Sequence, residues 1–228
     1  MWFDPTYLLF IAPAMLLSLW AQWKVKSAVT RYSQVPSSSG MTGAQVARTI
    51  LDANAVPDVR IEIADGVLSD HYDPSKKVLR LSEGVYHGRS VTAAGIAAHE
   101  VGHAIQHKLA YGPLVLRQTL APAAMWGSNL SWILLLIGFV LASTTMMWLG
   151  IGLFSLAVLF TLITLPVEFD ASRRAKEILP RLGLVSSSDR AGVSAVLNAA
   201  AMTYVAAAAA AILQLLYFVF RASSSSRD

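Results

Sequence analysis

Of the chain's 228 residues 55% are hydrophobic and only 14% are charged, against roughly a quarter charged in soluble domains, which excludes an ordinary soluble protein and points to the bilayer. With no cysteine, disulfides and thiolate metal sites are excluded, so any bound metal must be held by His and carboxylate. The net charge of +4 carries less information than the placement of the basic residues along the chain, which reports topology; no nucleic-acid partner is expected.

The first segment, Pro5 to Trp23, carries no charge, and its 19 residues give about 28 Å of helix, close to the hydrocarbon thickness of a bilayer. Lys24, Lys26 and Arg31 follow it and no basic residue precedes it, so it reads as an uncleaved anchor rather than a signal peptide. Trp2, Trp20 and Trp23 lie near its ends, where aromatic rings favour the headgroup level. Ser33 to Gly40 is a Ser, Gly and Pro-rich loop. Thr42 with Gln45 forms a capping box, and Ala44, Ala47, Ile50 and Leu51 recur at helical spacing, so a helix is expected to about Ala53. Val59, Ile61 and Ile63 then alternate with Arg60, Glu62 and Ala64 as a strand that ends at the turn pair Asp65-Gly66. A short strand is expected over Val67 to Asp70, a turn at Asp73-Pro74-Ser75, and a further strand over Lys77 to Leu81. If that last strand is an exposed edge, it offers a place for an extended peptide to add.

An Ala-rich run from Val91 to Leu109 follows, with Ser90 as N-cap and an end by Gly112-Pro113, about five turns. It contains His99-Glu100-Val101-Gly102-His103. On a helix His99 and His103 share one face, where two imidazoles can hold one metal ion, and this spacing is that of a zinc site. Glu100 points to an adjacent side, where it can take a proton from a water at the metal's open position, the role of a general base. With five His and five Glu in the chain, an accidental match is expected in only about 0.2% of shuffled versions, so chance is a poor explanation. His107, four residues further on, stands about 12 Å from His99 along the axis, too far for both to reach one zinc ion. It is assigned to the surface or to support of the ligands, and His71, Asp73 and His87 are weaker metal-ligand candidates.

From Leu130 to Leu165 no residue is charged, and those 36 residues suffice for two crossings. Ser143-Thr144-Thr145 and Gly150-Ile151-Gly152 are the expected punctuation of the hairpin. A last apolar segment, Ala199 to Phe220, includes six consecutive alanines that allow close helix approach. Of the 18 Lys and Arg, 11 fall from Lys24 to Arg117, five from Arg173 to Arg190 and two in the tail. The positive-inside rule therefore puts both large loops in the cytoplasm and both termini outside. The expected organisation is a first span over 1–23, a cytoplasmic region over 24–128 containing the motif helix, two spans over 129–166, a second cytoplasmic segment over 167–198, a fourth span over 199–221 and a tail over 222–228.

The second loop opens Pro166-Val167-Glu168-Phe169-Asp170-Ala171-Ser172-Arg173-Arg174-Ala175. Together with the H-E-x-x-H motif, Leu51-Asp52-Ala53-Asn54, His71-Tyr72-Asp73-Pro74, Leu79-Arg80-Leu81-Ser82 and Asn198-Ala199-Ala200, this run resembles the membrane zinc metallopeptidases of the neutral zinc peptidase type, the YugP-like membrane proteases. More distantly the chain is similar to the Ste24 and HtpX metallopeptidases, whose E-[FY]-x-A-D run supplies a glutamate ligand from a second helix. The resemblance implies that Glu168 is the third metal ligand, with Phe169 and Ala171 in the matching places and Ser172 where those families carry an acidic residue. Asp170 points about 200° away around the helix and cannot share that role. The competing reading of Glu168 is a favourable charge at a helix N-terminus after Pro166.

These readings combine into a mainly α protein with a small β-sheet, four membrane spans and a zincin-like cytoplasmic catalytic domain, located in the cell membrane. The expected activity is that of a zinc metalloendopeptidase with one catalytic Zn2+, held by His99, His103 and Glu168, with Glu100 as base. Its expected partners are a protein or peptide substrate and the lipid bilayer, and a partner membrane protein is left open. Tyr204, His71 and the arginines after Glu168 are candidates by residue type for stabilising the oxyanion. The alternatives are a non-hydrolytic metal-binding structural or regulatory membrane protein, and an ion transporter using His99, Glu100 and Glu168. The transporter is disfavoured because those groups lie outside the expected spans.

Overall fold

The computed structural model describes residues 5–66 and 68–225; Trp2, Val67 and residues 226–228 of the expected tail lie outside the described residues. In chain order the elements are α1 (Pro5–Ser33), α2 (Gly43–Ala53), β1 (Arg60–Ala64), β2 (His71–Asp73), β3 (Val78–Ser82), α3 (Glu83–Tyr86), α4 (Val91–Lys108), α5 (Gly112–Val140), α6 (Thr144–Arg181) and α7 (Asp189–Ser225). The protein is mainly helical with one small sheet, and α1, α5, α6 and α7 are long and apolar enough to cross a membrane. Each of these four runs past the apolar stretch that announced it. In particular α6 passes through Pro166 without ending, so Glu168 does not sit at a helix N-terminus and that reading of it falls.

By internal contacts the described residues divide into two compact units, one of residues 5–21, 115–165 and 203–225 and the other of residues 22–66, 68–114 and 166–202. In the first, Leu135, Met147, Ile151, Phe154, Val158, Tyr217 and Phe218 form a core. Phe154 and Phe218 meet edge to face within it at 5.4 Å between ring centres, and the exposed Trp132 packs edge to face on both at 5.5–6.2 Å, a geometry that sets the positive edge of one ring against the negative face of the next. The turn between α5 and α6 falls at Leu141–Ser143, with Ala142 in the left-handed region at φ 49° and Ser143 N–H bonded to the Gly138 carbonyl at 2.9 Å, a helix-terminating arrangement. Gly150 is not punctuation, contrary to the expectation, but lies inside α6. A Cβ there would stand 2.8 Å from Leu135 Cγ and 3.1 Å from Leu135 N, so its role is close helix approach.

In the second unit the capping box forms as expected. Thr42 accepts from Gln45 N–H at 3.2 Å and Gln45 accepts from Thr42 N–H at 2.9 Å, and the amphipathic pattern of α2 buries Val46, Ala47, Ile50 and Leu51 completely. The sheet order is β1-β3-β2, with β1 parallel and β2 antiparallel to β3. Two expectations are corrected here. The short second strand lies at His71–Asp73 rather than over Val67 to Asp70, because Asp70 is used to bind Ser82 N–H and Oγ and Asp73 can still pair with Val78 before its carboxylate caps the turn at Ser75. The strand over Lys77 to Leu81 is central, not an edge: it is paired on both sides, and Val78, Leu79 and Leu81 are fully buried. Val78, Leu79 and Leu81 fill both faces, with only Arg80 part-exposed between them, as burial on both faces demands, and β1 and β2 are left as the edges. The core unites α2, β3, α4 and the parts of α6 and α7 in this unit through Ile50, Leu51, Leu79, Leu81, Val101, Leu179 and Leu197, each Leu or Ile contributing about 1.5–3 kcal/mol by burial.

Candidate metal centre

The helix that carries the histidines is placed by its small residues. Ser90 caps α4, accepting from Ala93 N–H at 3.2 Å, and Ala93, Ala94, Ala97, Ala98 and Ala104 are all buried. Gly102 marks the tightest approach. A Cβ at this position would lie 2.8 Å from the carbonyl oxygen and 3.1 Å from the Cα of Ala171, so α4 and the second-unit part of α6 meet backbone to backbone. That contact brings Glu168, one turn before Ala171, against the motif helix.

His99, His103 and Glu168 converge. The imidazoles stand 4.8 Å apart between ring centres and nearly perpendicular, and Nε2 of His99 and of His103 lie 3.3 and 3.5 Å from the same oxygen, Oε2 of Glu168. One ligand atom from each of the three residues falls within 4.8 Å of the others. Ligands arranged tetrahedrally at a zinc ion's usual 2.0–2.2 Å stand roughly 3.3–3.6 Å from one another, so each His–Glu pair of donor atoms has the spacing zinc would need. Two imidazoles and a carboxylate are also the donor types that zinc takes at catalytic sites. Glu168 is buried, at 3% exposure, and Glu100 at 8%, while the two His side chains keep 13%.

Burial opposes charge on both His103 and Glu168, but the neighbours outweigh it. The neighbouring Glu168 carboxylate, with the negative charge of Glu100, raises the His103 imidazole above its ordinary pKa. On Glu168, which lies beyond the uncharged stretch of α6, the two histidines hold the carboxyl well below the usual range. The pocket thus favours the ionised form of the Glu168 carboxylate, the form in which a carboxylate can ligate a metal.

The nitrogens that face away from Glu168 have partners too. Nδ1 of His99 meets Ser172 Oγ at 3.1 Å, so the departure from the acidic residue of the distant families places a hydroxyl on that histidine. Nδ1 of His103 meets Gln106 Oε1 at 3.0 Å. Gln106 has no part in the site as read from the sequence; the signal that would have found it is a polar side chain three residues after a candidate ligand on an otherwise apolar helix. Asp170 lies outside the three-atom cluster and binds Arg174 Nε at 2.6 Å, Arg173 and Gln106. Those two arginines are therefore tied to Asp170, which argues against their use on an oxyanion. His71 is engaged by the Ser69 carbonyl and Arg80, Tyr204 belongs to the other unit, and His107 Nδ1 meets the Tyr72 hydroxyl at 2.9 Å. On the His99 and His103 side of α4, one to two turns toward its N-terminus, Thr92 and Ile96 line an apolar cavity of about 440 Å3 together with Val29, Pro36, Leu68 and Val85.

A family model described as "Putative neutral zinc metallopeptidase" matches residues 7–223. The chain is 53% identical over 206 residues to "Putative membrane protease YugP" of Bacillus subtilis (strain 168), an overlap that covers 90% of this chain and 92% of that protein. No solved structure matches.

Proposed function

From the premise that this chain belongs to the family of neutral zinc metallopeptidases, we propose that it is an integral membrane endopeptidase with one zinc ion, acting on protein or peptide substrates from the cytoplasmic side of the cell membrane. The observation that carries the reading is the convergence of His99, His103 and Glu168 on one point, with Glu100 next to the first ligand on the same helix. Three protein ligands leave a fourth position for water, the mark of a catalytic rather than a structural site. When bound there, zinc supplies Lewis-acid polarisation of the scissile carbonyl and lowers the pKa of a water to about 7.

The chain's own residues do the rest. His99 and His103 would hold the ion through Nε2 and Glu168 through Oε2. The Glu100 carboxylate takes a proton from the attacking water and passes it to the leaving amine nitrogen, acting first as base and then as acid. Ser172 and Gln106 hold the two imidazoles from behind. The bilayer is the second partner: Leu9, Trp126 and Val140 are more than 70% exposed, and a surface this apolar is one that lipid covers.

Removal of the metal tests the chemistry. Purified protein should bind one zinc per chain, lose peptide cleavage on treatment with a chelator and regain it with added zinc; cleavage that persists after the zinc is stripped would exclude the mechanism. Topology has its own test. Sixteen of the 18 basic residues lie from Lys24 to Arg190 in two blocks separated by an uncharged hairpin, which supports cytoplasmic placement of both blocks. Since no cysteine is native, Lys76→Cys and Arg181→Cys are expected to resist a membrane-impermeant thiol reagent in intact cells while Ser224→Cys reacts. Labelling at either of the first two positions would reverse the assignment.

A further inference from the structure

We propose that Gln106 is a positioning residue that selects the metal-binding tautomer of His103 and at the same time holds the backbone at Glu168; this rests on the reading of His99, His103 and Glu168 as a zinc site.

Gln106 is completely buried. Its amide offers two N–H donors at one end and an acceptor at the other, and which end points where decides what its neighbours must be. The nitrogen donates to the Val167 carbonyl at 2.8 Å and to Asp170 Oδ2 at 2.9 Å. A backbone carbonyl can only accept, and Asp170, bound by Arg173 and Arg174, is a carboxylate that likewise only accepts. Turning the amide over would set its oxygen against two acceptors in a buried place and leave its donors facing a single nitrogen, so the orientation is dictated by the partners.

The oxygen end follows. Oε1 faces His103 Nδ1 at 3.0 Å, and an oxygen that only accepts requires Nδ1 to carry hydrogen. The neutral imidazole then has its lone pair on Nε2, the atom that faces Glu168 Oε2. A chain of hydrogen bonds thus runs from Arg173 and Arg174 through Asp170 and Gln106 to Nδ1 of His103, the ring nitrogen opposite the one that faces Glu168. Val167, whose carbonyl the same amide grips, is the residue immediately before Glu168. One side chain therefore governs two of the three ligands, one on each helix.

His99 differs. Its Nδ1 faces Ser172 Oγ, and a hydroxyl can donate or accept, so it imposes no tautomer. The two histidines are unequal in preparation, and the rigid one is His103. Loss of such a supporting partner typically weakens metal affinity by about 10–100-fold.

The test combines zinc titration with nitrogen-15 NMR of the histidine rings, of which the chain has five, in the full-length protein. Gln106→Met fills the same space without polar ends. It is expected to weaken zinc binding by about 10–100-fold and to abolish the slowly exchanging Nδ1–H signal of His103, while Ser172→Ala leaves that signal in place. A packing role alone would move thermal stability and not the ring signals. Equal zinc affinity and an unchanged Nδ1–H signal in Gln106→Met would overturn the proposal. Should that variant fail to fold, the wild-type spectrum still decides, because neutral His103 carrying its hydrogen on Nε2 in metal-free protein would also overturn it. Were wild type to bind no zinc, the zinc reading would fall, while the ring tautomer in the metal-free protein would still judge Gln106.

Discussion

Glu100→Gln is expected to keep one zinc per chain and to lose at least about 100-fold in peptide turnover, the scale at which removal of a general base is felt. The two halves of the result come from different parts of the site. Zinc should be retained because the proposed donor atoms belong to His99, His103 and Glu168, and Gln has nearly the shape of Glu, so the buried position of residue 100 on α4 is refilled without a cavity. Turnover is lost because an amide cannot take up a proton at neutral pH. The comparison requires measuring zinc content and cleavage on the same preparation. Undiminished turnover would exclude Glu100 as the base. A wild type that binds zinc and cleaves nothing across a broad peptide library would favour the non-hydrolytic metal-binding alternative.

Glu168→Ala is expected to produce the opposite pattern, a loss of the metal itself. With its carboxylate gone the site has two imidazoles, one short of the usual three protein ligands of a catalytic zinc, and zinc affinity should fall by well over the roughly 10–100-fold that loss of a supporting group costs. Asp170→Ala is the graded control. Read from sequence alone, Asp170 has no part at the metal, but its bond to Gln106 predicts a loss within the supporting range. His107→Ala should leave affinity near wild type, since His107 pairs with Tyr72 and stays outside the cluster. Competition of each variant with a chromogenic chelator gives the order directly, and normal affinity in Glu168→Ala would remove that residue from the site.

The correspondence between sequence and structure differs from element to element. Four apolar stretches, the capping box of Thr42 and Gln45, the Ser90 cap and the shared face of His99 and His103 are local patterns, set by residues within a few positions of one another. They appear in the structure because helix geometry alone creates the neighbourhood. The strand over Lys77 to Leu81 was legible as a strand and not as a central one, since alternation reports which face is buried and pairing on both edges depends on two segments distant in sequence. Pro166 was an apparent helix start. In the fold, helix continuity across it prevails, and the charge that looked like a cap partner belongs beside two histidines 65 and 69 residues earlier.

By itself, then, the sequence determined the helical class, the apolar lengths that suit a bilayer, and a pair of imidazoles with a carboxylic acid between them. Those properties follow from composition and from periods of a few residues. Tertiary structure alone decided that Glu168 faces His99 and His103, that Ser172 meets His99, and that the Gln106 amide is held from α6 by the Val167 carbonyl and Asp170. Each of these depends on the backbone contact at Gly102 and Ala171, and the physical reason is one of range. A missing side chain in one helix and a carbonyl in another become neighbours only when two helices cross at a particular register, which no local period records.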